Sequence, residues 1–234
     1  MPVGSTVRAL LPNLLTLGNL AAGSWAIALS YRQEWVLFAA ALGIAMVCDW
    51  LDGFAARLLR AESPLGKELD SLADLVSFGI APAFALYNYL RPPLPLLPYD
   101  REWRAWMVLA PFVLPLLAAW RLARFTIEEH SDKRFFSGLP TPAHGAFWAG
   151  WLLTRPEGPW LHPLSWIGTI TLLGLAMVSR WPFFSLKSRS NLPWLLGLLL
   201  VGGTALVLLP PPAWPPTLLL AYAILSRLAA YKAA

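Results

Sequence analysis

The sequence predicts an all-α integral membrane protein of about eight transmembrane helices, on three observations. Of its 234 residues, 57% are hydrophobic and 13% charged, against about 25% charged in a soluble domain; the mean hydropathy is +0.56. Apolar runs near the length a span requires recur along the chain. Tryptophans gather at the ends of these runs, at Trp103, Trp106, Trp160, Trp181, Trp194 and Trp214, as in an interfacial aromatic belt; packing between helices is the alternative for the others.

Eight segments follow in order: 13–30, 35–56, 66–89, 104–124, 141–154, 163–180, 192–209 and 215–231. The first follows Arg8 and Pro12 with no cleavage site, so it is expected to stay as a span rather than leave as a signal peptide. Ser63-Pro64 is expected to close the second helical region, because the residue before a proline is pushed out of helical geometry. The proline-rich stretches at 91–98 and 209–216 read as loops, and the run 128–134 (EEHSDKR) as a solvated charge cluster. The fifth segment is short and flanked by proline; without it the count is seven and the later orientation inverts. With eight spans and the N-terminus inside, thirteen of the eighteen Lys and Arg residues fall on one side. The other side receives Arg32, Arg91, Arg101, Arg104 and Arg155. The positive-inside rule then makes both termini cytoplasmic. This basic face also suits anionic lipid headgroups. No basic run interleaved with aromatics supports nucleic-acid binding. The single cysteine, Cys48, excludes an internal disulfide and a cysteine-based metal site.

Against this apolar background stands DWLDGFAARLLRAESPLGKELDSLAD, residues 49–74. Asp49 and Asp52 are three apart and Asp70 and Asp74 four apart, so on helices each pair shares a face. Carboxylates at membrane depth are costly and mark function. Ion pairs with Arg57, Arg60 and Lys67 would account for one or two of them, but not for four acids interleaved with small residues. A divalent metal among them is the simplest answer, and an all-oxygen set suits Mg²⁺, Mn²⁺ or Ca²⁺. Gly53, Ala56 and Gly66 let a ligand approach closely, and Arg57 can bind phosphate in a fork. Such a pocket suits a diphosphate whose lipid tail lies in the bilayer, displaced in line with metal assistance. A carboxylate not saturated by metal can take the proton of an incoming hydroxyl.

The pattern Asp49-x-x-Asp52-Gly53-x-x-Ala56-Arg57, eight residues, then Gly66-x-x-x-Asp70-x-x-x-Asp74 resembles the full signature of the CDP-alcohol phosphotransferases, matching at all eight positions. The resemblance implies attack of a hydroxyl on the lipid-side phosphate of a CDP-linked alcohol, with CMP leaving. It implies that Asp49, Asp52 and Asp70 are metal ligands, and that Asp74 completes the metal site or acts as general base. Gly53, Ala56, Arg57 and Gly66 would line the nucleotide and diphosphate site, together with Asp49. It further suggests a homodimer in a prokaryotic cytoplasmic membrane; the Lys and Arg asymmetry places the acids at the cytoplasmic end of the second and third segments, so the active site is expected to face the cytoplasm. A single membrane domain is expected over 1–234, with a catalytic core over about 10–150 and additional helices over about 160–234.

Three stretches bear on the acceptor: PNLLTLGN at 12–19, DSLADLVSFGIAP at 70–82, and RLARF at 121–125 followed by GLPTPAHG at 138–145. Together they resemble the bacterial and archaeal CDP-diacylglycerol–serine O-phosphatidyltransferases, which implies CDP-diacylglycerol and L-serine as substrates and phosphatidylserine and CMP as products. His144 departs from the small residue expected there and reads as a packing or interfacial residue; His130 and His162 carry no assigned role. Arg121 and Arg124, three apart on one helix face, are candidates for the serine carboxylate; topology anchoring or lipid phosphate contact is the alternative. Ser77 either donates to substrate or is satisfied by its own i−4 carbonyl. Asn13 and Thr16 either bind the nucleotide or cap the first helix. Two rival functions remain at this stage: the same transfer to glycerol phosphate or inositol phosphate, and a cation transporter built on buried acids. A transporter would spread ionisable groups over several interrupted helices near midplane; here they cluster at one end of two.

Overall fold

The computed structural model describes residues 3–92, 100–127, 135–155, 157, 162–184 and 191–233. The charge cluster 128–134, most of the proline-rich stretch 91–98, and Trp160 lie outside the described residues. Each of the eight expected segments is helical. In order these are α1 (Val3–Tyr31), α2 (Trp35–Leu58), α3 (Pro64–Asp74), a π-helical turn (Leu75–Ile80), α4 (Ala81–Leu90), α5 (Arg101–Leu109), a 3₁₀ turn (Ala110–Phe112) and α6 (Val113–Ile127). There follow β1 (Phe135–Ser137), α7 (Thr141–Leu153), α8 (Pro163–Val178), β2 (Pro182–Phe184), α9 (Leu192–Leu208), a 3₁₀ turn (Pro211–Ala213) and α10 (Trp214–Ala233). Among the described residues, four stretches are long and apolar enough to cross a membrane: Leu10–Tyr31, Trp35–Leu58, Pro64–Leu90 and Arg101–Ile127. The apolar helices Ser165–Val178 and Leu192–Leu208 are shorter.

The helices depart from the sequence reading at four places. First, α1 begins at Val3 and runs through Pro12, so Asn13 lies inside a helix and is not its cap. Second, Ser63-Pro64 opens α3 rather than closing α2. Ser63 is extended, as a residue before proline should be, and its Oγ accepts from Gly66 N at 3.1 Å, with Pro64 at the first helical position. The connection out of α2 passes instead through Arg60, in the left-handed region at φ 51°. Third, the π turn interrupts the third segment directly after Asp74; such turns recur at functional sites. Fourth, two three-residue strands pair antiparallel, Phe135 opposite Phe184, tying the start of the α7 connection to the segment after α8.

The helices approach closely because their contact faces are small. Ala26, Ala41, Ala45, Ala73, Ala81, Ala85 and Ala118 are buried, as expected where packing rather than hydrophobic burial joins helices in lipid. Large side chains fill one common core around Phe38, Leu42, Leu86, Trp148 and Trp166. An aromatic ladder extends it, Trp35 to Tyr89 to Trp151 to Trp148, with ring centroids 5.3, 5.9 and 5.6 Å apart. Trp103, Trp106 and Trp181 are exposed, whereas Trp35, Trp148, Trp151 and Trp166 are core residues, so the tryptophans divide between the two roles.

The closest approach sets α1 against the π turn. A Cβ on Gly23 would overlap Ser77 Oγ and stand 2.6 Å from its Cα. Gly23→Val should therefore destabilise the fold by about 1–3 kcal/mol, the usual cost of overpacking. A lowered unfolding midpoint of the detergent-solubilised variant would record it, and an unchanged midpoint would show that the two backbones are not in register as described.

Candidate active site

Helix α2 carries Asp49, Asp52, Gly53, Ala56 and Arg57, and α3 carries Gly66, Asp70 and Asp74. Because α3 is regular from Pro64 to Asp74, Gly66, Asp70 and Asp74 share one face. The short turn between the helices folds that face against the end of α2. One carboxylate oxygen from each of Asp49, Asp70 and Asp74 lies within 4.8 Å of the others. An all-carboxylate group this close fits a hard divalent cation, which would neutralise charges that otherwise repel. Asp52 lies outside the trio. Its Oδ2 is 2.6 Å from Thr16 Oγ1, which is also 3.1 Å from Pro12 O; the single hydroxyl proton goes to the closer, charged acceptor.

Beside the trio opens a cavity of about 420 Å³, within the range of small-molecule sites, roughly 300–1,000 Å³. Asn13, Thr16, Asp52, Gly53, Ala56, Arg57, Gly66, Lys67 and Asp70 are among its lining residues. It thus brings together most of the residues expected at a nucleotide and diphosphate site. The N-terminus of α3 contributes Ser63 and Gly66 to its wall, a place that favours phosphate through free N–H groups and the helix dipole. Both glycines are tightly placed: a Cβ at Gly53 would stand 3.3 Å from Arg57 Nη1, and one at Gly66 3.3 Å from Asn13 Oδ1. Asp70 belongs both to this cavity and to the trio, and so joins the two halves of the site.

Asp74 is buried and doubly held. Asn19 Nδ2 donates to its Oδ1 at 3.3 Å and Thr141 Oγ1 to its Oδ2 at 3.1 Å. The sequence reading quoted both residues within longer stretches but gave neither a role. Asn19 follows Thr16 at i+3 on the same face of α1, which is a signal that could have found it. Thr141 lies 67 positions from Asp74, and nothing local announces it. His144, one turn on in α7, is fully buried rather than interfacial. Trp148 Nε1 donates to its Nε2 at 2.9 Å, which leaves Nδ1 to carry the proton and donate to Phe78 O at 2.8 Å. Helix α7 therefore grips both Asp74 and the π turn that follows it.

The three residues considered for the acceptor separate. Ser77 donates its one hydroxyl proton to Asn19 O at 3.0 Å, across to α1 and not to its own i−4 carbonyl, because the π turn rotates it toward α1. Only acceptor capacity remains to it. Arg124 donates from Nη1 to Val178 O at 2.8 Å and from Nη2 to Ser179 O at 3.2 Å, covering carbonyls at the end of α8. Arg121 is buried, with Phe125 5.8 Å from its guanidinium carbon and the Asp74 carboxylate within electrostatic reach.

The family model for CDP-alcohol phosphatidyltransferase matches residues 9–179, from α1 through the end of α8. The chain belongs to this family. Several curated relatives carry the name CDP-diacylglycerol–serine O-phosphatidyltransferase. The Mycobacterium leprae protein is 31% identical over 216 residues, 86% of this chain and 68% of that protein. The Bacillus subtilis protein is 35% identical over 187 residues, 78% and 95% of the two chains. The Helicobacter pylori strain J99 protein is 34% identical over 189 residues, 78% and 76%. Membership of a transferase family sets the transporter reading aside.

Two variants probe this CDP-alcohol phosphatidyltransferase site directly. Asp70→Asn should abolish Mn²⁺ binding followed by electron paramagnetic resonance. Thr141→Val should weaken Mn²⁺ affinity or turnover by about 10- to 100-fold, the range for groups that orient metal ligands, with Thr141→Ser largely restoring it. Wild-type Mn²⁺ binding in Asp70→Asn would exclude the trio as a metal centre.

Proposed function

We propose that this chain transfers the phosphatidyl group of CDP-diacylglycerol to the hydroxyl of L-serine, giving phosphatidylserine and CMP. The observation that carries the reading is the division of the site at Asp70. On one side lies a cavity with Arg57, Lys67 and the N-terminus of α3, suited to a diphosphate. On the other lies Asp74, fixed by Asn19 and Thr141. The names of the relatives support serine as acceptor, and so does the charge inventory. A phosphorylated acceptor such as glycerol phosphate or inositol phosphate would need a basic cluster, and Arg124 already covers two backbone carbonyls.

In this reading Asp49, Asp70 and Asp74 hold a divalent cation, with Asp52 beside them. Mg²⁺ or Mn²⁺ fits first and Ca²⁺ by the same oxygen chemistry; when bound, it stabilises the charge of the diphosphate. Arg57 and Lys67 bind diphosphate oxygens, while Gly53, Ala56 and Gly66 leave them room. Asn13 and Thr16 line the nucleotide end. Asp74 takes the proton of the serine hydroxyl as that oxygen bonds to the lipid-side phosphorus. The bond from phosphorus to the CMP oxygen breaks, its electron pair leaves with CMP, and the proton passes to water.

We further propose eight spans with both termini in the cytoplasm of a prokaryote, the acids facing the cytoplasm, and a homodimer, the last on family resemblance alone. The catalytic core of about 10–150 then extends to the end of α8, where the family match stops. Helix α7 is the test of the topology. Its 13 residues rise about 20 Å, short of a hydrocarbon core of roughly 30 Å. Eight of the 13 are buried, so protein rather than lipid surrounds it, and a short crossing is tolerable there.

Purified protein given CDP-diacylglycerol, Mg²⁺ or Mn²⁺ and labelled L-serine should release CMP and form labelled phosphatidylserine. Chelation of the metal or Asp74→Asn should lower the rate at least about 100-fold, the scale of general-base catalysis. Turnover only with another alcohol would keep the family chemistry and overturn the acceptor. For the topology, a cysteine replacing Glu157 in a Cys48→Ser background should react with an impermeant maleimide from the outside of intact cells. Labelling only after permeabilisation would reduce the count to seven spans.

A further inference from the structure

Among the described residues, the buried atoms Asn19 Oδ1 and Arg121 Nε have no hydrogen-bond partner. Asn19 is 0% exposed and Arg121 5% exposed, so bulk solvent does not reach them. Leaving such groups unmatched is costly, and unmatched groups beside Asp74 point to a ligand that matches them. One is an acceptor and the other a cationic donor. The orientation of the Asn19 amide follows from its neighbour, because an ionised carboxylate only accepts: Nδ2 faces Asp74 Oδ1 at 3.3 Å, and Oδ1 is turned elsewhere.

The surroundings of the two atoms differ in sign. Asn19 sits against Asp74, whose neighbours are Asp49 and Asp70. Arg121 has Arg124, Tyr222 and Asp74 within electrostatic reach, and His144 beside them is held neutral by its two hydrogen bonds. The Tyr222 hydroxyl donates to Phe184 O at 2.8 Å. Asp74 has its two oxygens engaged by Asn19 and Thr141, and among the described residues no carboxylate is hydrogen-bonded to Arg121.

We propose that Asn19 Oδ1 and Arg121 together recognise the two charged ends of a zwitterionic α-amino acid acceptor, the amide oxygen taking the ammonium and the guanidinium the carboxylate. Ser77 Oγ, with its proton committed to Asn19 O, adds a second acceptor on the ammonium side. The acceptor hydroxyl is then presented to Asp74. This inference rests on the serine-transfer reading and deepens it by naming what selects serine. Arg121 was a candidate from the sequence; the amide of Asn19 and the pairing of the two are what the structure adds.

The test uses acceptors that each lack one charged end: ethanolamine, without the carboxylate, and 3-hydroxypropionate, without the ammonium. Wild-type enzyme with CDP-diacylglycerol and Mn²⁺ should favour serine over both in kcat/KM. Arg121→Gln should reduce the preference for serine over ethanolamine by about 10- to 100-fold, the worth of a charged hydrogen bond, while its preference over 3-hydroxypropionate changes in the opposite sense or not at all. Asn19→Ala should do the converse. General damage to Asp74 or to folding lowers all acceptors together and cancels in these ratios. Competitive inhibition of the unmodified enzyme gives an independent reading: L-alanine should inhibit with respect to serine far better than ethylamine or propionate. Unchanged ratios in both variants, or equal inhibition by the three analogues, would overturn the proposal. So would a loss of Mn²⁺ affinity in Asn19→Ala with unchanged acceptor ratios, which would assign the amide to the metal. Failure of wild-type enzyme to use serine at all would instead remove the serine-transfer reading itself.

Discussion

Three carboxylate oxygens within 4.8 Å of one another repel strongly where water is scarce, and the bundle is organised around containing that repulsion. Helix α1 carries no acid of its own, yet it supports both acid-bearing helices. Thr16 donates to Asp52 on α2 and Asn19 to Asp74 on α3. Thr16, Asn19 and Gly23 recur at i, i+3 and i+7, one face of a helix. The first two supply donors and the third supplies room, so the π turn can lie against α1 and let Ser77 reach the Asn19 carbonyl. Close packing of small residues and donation to carboxylates are thus two parts of one arrangement.

The opposite wall is built by α7, whose first turn contributes Thr141 and whose second contributes His144. A π turn leaves carbonyls poorly matched inside its own helix, and the neutral imidazole of His144 takes up that of Phe78. Gly145 is small for the same reason: a Cβ there would stand 2.8 Å from Phe78 Cδ1. Asp74 is therefore defined from three directions, by α1, by α7 and by its own irregular helix. In the proposed reaction Asp74 exchanges a proton, and one fixed geometry favours that step.

What was legible in the sequence was local. Asp49, Asp52, Gly53, Ala56 and Arg57 lie within nine residues, and Gly66, Asp70 and Asp74 within nine more, so helical periodicity alone places them on shared faces. Hydropathy located the eight helical segments because each is apolar over a nearly continuous run. The bonds that complete the site join distant positions: Thr16 to Asp52 across 36 residues, Asn19 to Asp74 across 55 and Thr141 to Asp74 across 67. Periodicity can place Thr16 and Asn19 on one face of α1, but it does not say which distant residue each one meets. The π turn was hidden because its residues, LVSFGI, are apolar like a continuing helix, and the misplaced role of Ser63-Pro64 arose because one rule, an extended residue before proline, serves a helix start as well as a helix end.

The short ladder between β1 and β2 carries a consequence for the order of assembly. Just beyond its first strand, Gly138 N bonds to Trp181 O and Leu139 N to Ala176 O, which fixes the approach to Thr141 from residues about forty positions later. Phe184 is in turn anchored to α10 by Tyr222 and Ser226. As the chain leaves the ribosome, the acids are made early, but the donor that fixes Asp74 gains its support only once α8 and the residues beyond it have been laid down. A chain interrupted after α7 would therefore keep the three acids and the donors of α1 and α7, but not the later residues that hold the approach to Thr141 in place.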